Sequence, residues 1–264
     1  MSRRVVVRWM LAGSLLLGAA ACERKPVENA YFPLEAGRTW SYTLTPESLA
    51  DDEQTLALSV TSIGPEEVQG QRVTRQKIDL NGDTHFLFVG VDDKGVFRFA
   101  TQSPGEAAPS VDAERDYFLA KPLTVGNTWK GTGAPTFLDV AEAPVPIQST
   151  VESTTETVRV AAGEFTNCVK INVTGSVAIS SDEDDPDPAA TAQQGQEDDG
   201  RDDADAEGEE DENYDLDKGT FSLHEQTWYA AGVGVVKSVI TESFESEFGE
   251  QKARVTTELQ SFTR

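Results

Sequence analysis

From Tyr31 onward the chain alternates apolar and polar residues in short β-branched and aromatic runs, punctuated by Gly, Pro, Asn and Asp. That pattern predicts antiparallel strands joined by tight turns. Strands are expected over Thr39 to Thr45, Leu56 to Ile63, Arg72 to Leu80, Thr84 to Val91 and Val96 to Ala100. Asn81-Gly82 and Asp92-Asp93-Lys94-Gly95 supply turn residues that accept positive φ, so two hairpins follow. The clearest run is Phe165 to Ser180. Phe165, Val169, Ile171, Val173, Val177 and Ile179 share one parity, and Thr166, Lys170, Asn172, Thr174, Ser176 and Ser180 the other. One face should be buried and the other wet, as antiparallel sheets allow. Cys168 falls on the wet parity, where it reads as a small residue on a half-exposed strand rather than a reactive thiol. Further strands are expected over Phe221 to Ala230, Val233 to Glu245 and Lys252 to Phe262, with a turn around Phe248-Gly249-Glu250. Helical periodicity is nearly absent. Glu106 to Ala120, broken by Pro109, is the stretch that admits a helical turn.

One stretch echoes another. Pro33-Leu34-x-x-Gly37-x-Thr39-Trp40 recurs as Pro122-Leu123-x-x-Gly126-x-Thr128-Trp129, 89 residues later. Each copy reads as an extended proline lead, a glycine turn and an aromatic strand start. The echo implies either a duplicated half-domain or one turn-and-strand element used twice, and one pair is too few for a solenoid or propeller.

The first 22 residues belong to a different pattern. Arg3, Arg4 and Arg8 precede an apolar run from Trp9 to Ala21 that is shorter than the roughly 20 residues a bilayer span needs, so 1–21 reads as a cleavable export signal. Leu15 to Cys22 resembles the bacterial lipobox, with Ala19 where that pattern usually has Leu and small residues before the cysteine. The resemblance implies a diacylglyceryl group on Cys22 and a lipid anchor in the membrane, the competing reading being ordinary A-x-A cleavage before a free Cys22. Two or more acyl chains would anchor stably. Arg3-Arg4 also resembles a twin-arginine signal, although valines stand where Phe and Leu are usual. Residues 22–30 form a lipidated tether, whose eight residues after Cys22 reach at most about 30 Å, so the β domain of 31–264 should sit close to the bilayer. Glu23 follows the cysteine where an aspartate would favour inner-membrane retention, so the outer membrane is mildly preferred.

Charge changes the picture in one place. Residues 182–217 hold 18 acidic residues against one basic residue, Arg201, and so carry -17 of the chain's -24. That segment has no apolar side chain larger than Ala and Pro between Asp182 and Asn213, cannot bury enough surface to offset its ordering, and is expected as a disordered acidic loop at a hairpin tip. The remainder is mildly acidic and lacks the basic face that nucleic acid requires. With Cys22 acylated, Cys168 has no disulfide partner. Asp203, Asp205, Glu207 and Gly208 approximate half a calcium loop, but Tyr214 occupies the position of the bidentate glutamate, so diffuse cation condensation is expected instead.

Catalytic constellations are thin. His85 and His224 are the two histidines, neither with a ligand neighbour at metal-binding spacing, and no nucleophile elbow, zinc motif or phosphate loop is present. The expectation is a non-catalytic protein with no cofactor and no metal site. Phe86, Phe88, Phe97 and Phe99, and Trp228-Tyr229, read as core mass before ligand lining.

Tyr31-Phe32-Pro33-Leu34 with Gly37, Trp40 and Tyr42, Val160 to Phe165 with Cys168, and Trp228 to Lys237 are similar to motifs of poorly characterised bacterial secreted β-sheet lipoproteins. The resemblance implies an all-β domain built as a single antiparallel curved sheet or half-barrel related to the lipoprotein-localisation factors, and transfers no catalytic residues. The function it implies is an envelope lipoprotein that binds or scaffolds, with an acyl chain or a peptide on a concave apolar face. The alternative from another class is a surface protein working through its acidic loop on cations or basic partners.

Overall fold

A strand with one apolar parity must have that stripe covered by other strands, and consecutive strands joined by short turns do this by curling together. The computed structural model describes residues 30–47, 55–138, 140, 144–179 and 218–263. They form β1 (Thr39–Glu47), β2 (Leu56–Val68), β3 (Gln71–Leu80), β4 (Asp83–Val91), β5 (Gly95–Gln102) and β6 (Ser110–Ala120). The second set is β7 (Thr128–Gly133), β8 (Val145–Val160), β9 (Gly163–Ile179), β10 (Gly219–Ala230), β11 (Gly234–Ser246) and β12 (Gly249–Phe262). All twelve lie in one antiparallel sheet of order β6-β5-β4-β3-β2-β1-β12-β11-β10-β9-β8-β7. The expected all-β curved sheet is what the chain forms, and it curls until its two outer strands meet.

The order contains two six-stranded meanders, β1 to β6 and β7 to β12, each opening on a copy of the echoed motif. The copies match bond for bond. Gly37 and Gly126 have φ of 84° and 87°, the left-handed region that glycine occupies without a Cβ penalty. The Gly37 N–H donates to the Ser62 carbonyl and the Ser62 N–H to that of Arg38 (2.8 and 2.9 Å), while Gly126, Val151 and Asn127 make the same exchange at 2.9 and 2.9 Å. Both indoles donate to backbone carbonyls, Trp40 to Val233 at 2.6 Å and Trp129 to Tyr117 at 2.7 Å. The same turn-and-strand element thus opens each six-stranded meander.

Two such halves have two seams, and they differ. β1 and β12 share a ladder from Trp40↔Phe262 to Glu47↔Arg254. β6 and β7 share none and are the sheet's two edges. Side chains bridge them instead. Besides the Trp129 indole on Tyr117, the Asn127 amide donates to the Ala120 carbonyl (3.2 Å) and the Thr132 N–H to the Asp116 carboxylate. A Cβ on Gly131 would overlap that carboxylate, so glycine there permits the approach. The result is a barrel closed by hydrogen-bonded strands on one side and by side chains on the other.

Two expectations are corrected. Glu106 to Ala120 holds no helical turn, because from Ser110 the chain pairs with β5 as β6, with register shifts at Val96/Phe97 and Arg98/Ala100. Cys168 is fully buried rather than wet. Asn167 has φ 56° and the β8–β9 register shifts between Glu156 and Val158, so a bulge turns the strand and sends the Cys168 side chain into a cluster with Val158, Val236 and Leu259. Burial raises its thiol pKa above the ordinary value, with a smaller contribution from Glu156 opposing the backbone bond at Val158. The signal, Cys22, the tether and the acidic stretch 182–217 lie outside the described residues; Ile179 pairs with Gly219 at the end of the β9–β10 hairpin that brackets the last of these.

Candidate functional site

Eight strands close to a core that side chains fill, whereas sixteen or more leave a channel; twelve fall between, and a partly filled lumen is the physical expectation. Three adjoining cavities run through this one. The outermost, about 350 Å³, opens at the β6–β7 seam and is lined by Arg98, Asp112, Arg115, Asp116 and Lys130. It shares Arg98, Asp116 and Thr132 with a second, about 230 Å³, walled by Ile147, Ile171, Leu223, Glu225 and Glu242. Phe118 and Tyr229 separate that from a third of about 220 Å³, walled by Trp40, Val60, Ile78, Leu87 and Val235. The lining thus passes from charged at the seam to apolar at depth.

The apolar end is capped by the chain's own start. Phe32 stacks on Phe118 with centroids 5.5 Å apart, Pro33 is buried, and the Gly232 N–H donates to the Ala30 carbonyl at 2.5 Å. Tyr31 to Leu34, read from sequence as a family motif, is therefore the plug of the barrel. It also brings the first described residue, Ala30, to the apolar end.

Each charged group in the lumen is fixed by a different device. Arg98 is paired with Asp112 at 2.7 Å and Asp116 at 3.5 Å. Burial raises the Asp116 pKa, against the pull of Arg98 and the Thr132 N–H. Glu242 is wholly buried and accepts three backbone bonds, from Thr136 (2.8 Å), Phe137 (2.9 Å) and Leu138 (3.0 Å). It ties the β7–β8 connection down over Phe221 and Phe244, against which Leu138 packs. Among the described residues Glu225 is held on one oxygen alone, by the hydroxyls of Thr227 (2.5 Å) and Ser238 (3.5 Å). Burial raises its pKa above the ordinary value, and those hydroxyls offset this in part. The phenols of Tyr42 and Tyr229 are likewise raised by burial, Tyr229 with a further contribution from Glu225.

Of the residues singled out from sequence, Tyr229 lines both inner chambers, and the histidines and phenylalanines fall elsewhere. His85 and His224 are exposed, His224 bonded to Asn172 at 2.7 Å. Phe86, Phe88 and Phe99 pack together on the face opposite the lumen, with the Arg75 guanidinium 3.8 Å from the Phe86 centroid, and Phe97 lies against Gly90 and Tyr117. Among the described residues no three His, Cys, Asp or Glu groups converge as a metal site would need. Sequence reasoning missed Glu225 and Glu242. The signal was present: Glu225 shares the parity of Phe221, Leu223 and Tyr229, and Glu242 that of Val236, Ile240 and Phe244.

No family model matches the chain, and no curated protein does either. Among solved structures it is similar to a presumed exported protein with YmcC-like fold from Bacteroides fragilis NCTC 9343, at 12% identity over 89% of this chain and 99% of that one, with TM-score 0.37. It is also similar to a presumed lipoprotein from Parabacteroides distasonis ATCC 8503, at 11% identity over 88% and 98%, with TM-score 0.33.

Proposed function

We propose that this chain is a non-catalytic envelope lipoprotein, held to the membrane through Cys22, whose lumen binds a small amphipathic ligand with an acyl-like tail. The observation that carries the reading is the graded run of cavities from the charged seam to the apolar chamber around Trp40, Ile78 and Leu87. Each inner chamber alone is smaller than the roughly 300 Å³ at which small-molecule sites begin, and the two together exceed it. Mostly apolar walls with a few placed polar groups suit such a ligand. The basic, apolar and small-residue order of 1–22 supports the anchor.

The test is displacement of a fluorescent fatty-acyl probe from the chain beginning at residue 22 and carrying Cys22→Ser. Saturable binding that is lost in Leu87→Trp, a substitution that fills the apolar chamber, with unfolding temperature retained, is the expected result. Binding unchanged in that variant, or no binding by the parent, refutes the lumen as the site.

A further inference from the structure

The lumen's second chamber has a carboxyl bonded on one oxygen and with no cation beside it among the described residues. Glu225 is enclosed by protein yet retains solvent-accessible surface, because it faces the 230 Å³ cavity rather than a packed neighbour. Thr227 and Ser238 bond the same oxygen, Oε1. Among the described residues no hydrogen bond reaches the other oxygen and no cation acts on the group. The other charged groups lining this cavity are already committed. Arg98 serves Asp112 and Asp116, and the Glu242 carboxylate is satisfied by three N–H donors. The remaining wall facing Glu225 from β8 and β9 is Ile147, Ser149, Ile171 and Val173, and Tyr229 contributes a phenol.

Buried carboxyls without a partner are costly, and proteins keep them where a ligand supplies the partner. The charge missing from this chamber is positive. Phe118 and Tyr229 line both this chamber and the adjoining apolar one, with Glu225 and Tyr229 on one face of β10, four residues or about 13 Å apart along the strand. We infer that the lumen selects a small amphiphile with an ammonium head, the head on Glu225 and the tail passing Tyr229 toward Trp40 and Leu87. This rests on the proposed lumenal binding and names the ligand's head.

The experiment compares dodecylamine, dodecanol and dodecanoate, three probes with one tail and different heads, on the chain from residue 22 with Cys22→Ser, by calorimetric titration below the concentration at which each self-associates. An ammonium–carboxylate hydrogen bond contributes about 1.5–3 kcal/mol, so dodecylamine should bind about 10- to 100-fold tighter than dodecanol. Glu225→Gln should abolish that preference and leave dodecanol binding as it was, while Glu164→Gln, an exposed acid on β9, keeps it. Dodecylamine binding no tighter than dodecanol, or dodecanoate binding tighter than both, overturns the inference and leaves the lumenal reading standing. A preference that survives Glu225→Gln also overturns it. Failure of all three probes to bind refutes the lumenal reading itself.

Discussion

Two glutamates face one cavity, and the same isosteric change should move stability in opposite directions at the two. Glu242 accepts three backbone N–H bonds, two of them on one oxygen. In Glu242→Gln the amide carbonyl can keep the pair from Phe137 and Leu138 as neutral bonds, and the NH₂ then meets the Thr136 N–H donor to donor. Bonds to a charged acceptor contribute about 1.5–3 kcal/mol and neutral ones about 1, so losing one and weakening two predicts destabilisation by about 2–4 kcal/mol. That is a large share of the roughly 5–15 kcal/mol that holds a domain folded. The connection that lifts away also uncovers Phe221 and Phe244. Glu225 makes no backbone bond, and burial raises its pKa. The folded state therefore holds the proton longer than the unfolded chain, whose glutamate titrates near pH ~4.3, and native stability falls as pH rises from there through the folded value. Glu225→Gln removes that loss, so its advantage over the parent should grow across the same window. Urea unfolding followed by tryptophan fluorescence at several pH values reads both. A Glu242→Gln variant within about 0.5 kcal/mol of the parent, or a Glu225→Gln variant whose difference from the parent does not change with pH, refutes the argument.

Further outcomes concern the seam, the turn and the two cysteines. Trp129→Phe removes the indole bond to Tyr117 and should loosen the β6–β7 seam, costing about 1 kcal/mol and raising amide exchange in 112–118 more than in β12; equal effects on both seams would deny the seam's weakness. At the β4–β5 turn, burial pushes the Asp92 pKa up, but bonds from Tyr117, the Gly95 and Lys94 N–H groups and Arg115 together bring it below the ordinary value. Its contribution is present above the unfolded pKa near ~3.9 and lost as pH falls through the folded one, so an acid-unfolding midpoint that rises in Asp92→Asn is expected and an unchanged midpoint counts against it. Cys168 should react with an aromatic disulfide reagent only after unfolding; prompt labelling of the native protein would contradict its burial. Intact mass of the membrane-extracted protein should show diacylglyceryl on Cys22, and an unmodified terminus would end the lipoprotein proposal.

What was legible in the sequence follows from how regular each strand is. β9 keeps strict period two from Val169 to Ile179, and its apolar parity is the buried one. The pattern failed at Asn167, where a bulge reverses the facing of Cys168, since period-two reasoning has no term for an inserted residue. β8 was not anticipated: its Ser, Thr and Glu residues mask the alternation of Val145, Ile147, Ser149 and Val151, and three register shifts against β9 break it. β6 was obscured by Pro109 and by charges that serve Arg98 and Asp92. The echoed Pro-Leu-Gly-Thr-Trp motif was legible as a unit, a positive-φ glycine turn leading into an aromatic strand start, and it marks the first strand of each six-stranded meander. The lumen itself was not legible. Whether a curled sheet is solid or hollow depends on how strands from the two halves meet across it, and the parity that Glu225 and Glu242 share with apolar neighbours marks them as inward without showing what they face.

Native mass spectrometry of the protein extracted from its own membrane tests most directly whether the lumen holds a ligand. The predicted spectrum shows, beyond the acylated chain, a non-covalent adduct of one small amphiphile that is released on unfolding and absent from Leu87→Trp. A parent protein that carries no adduct and also fails to take up any of the three twelve-carbon probes would contradict it.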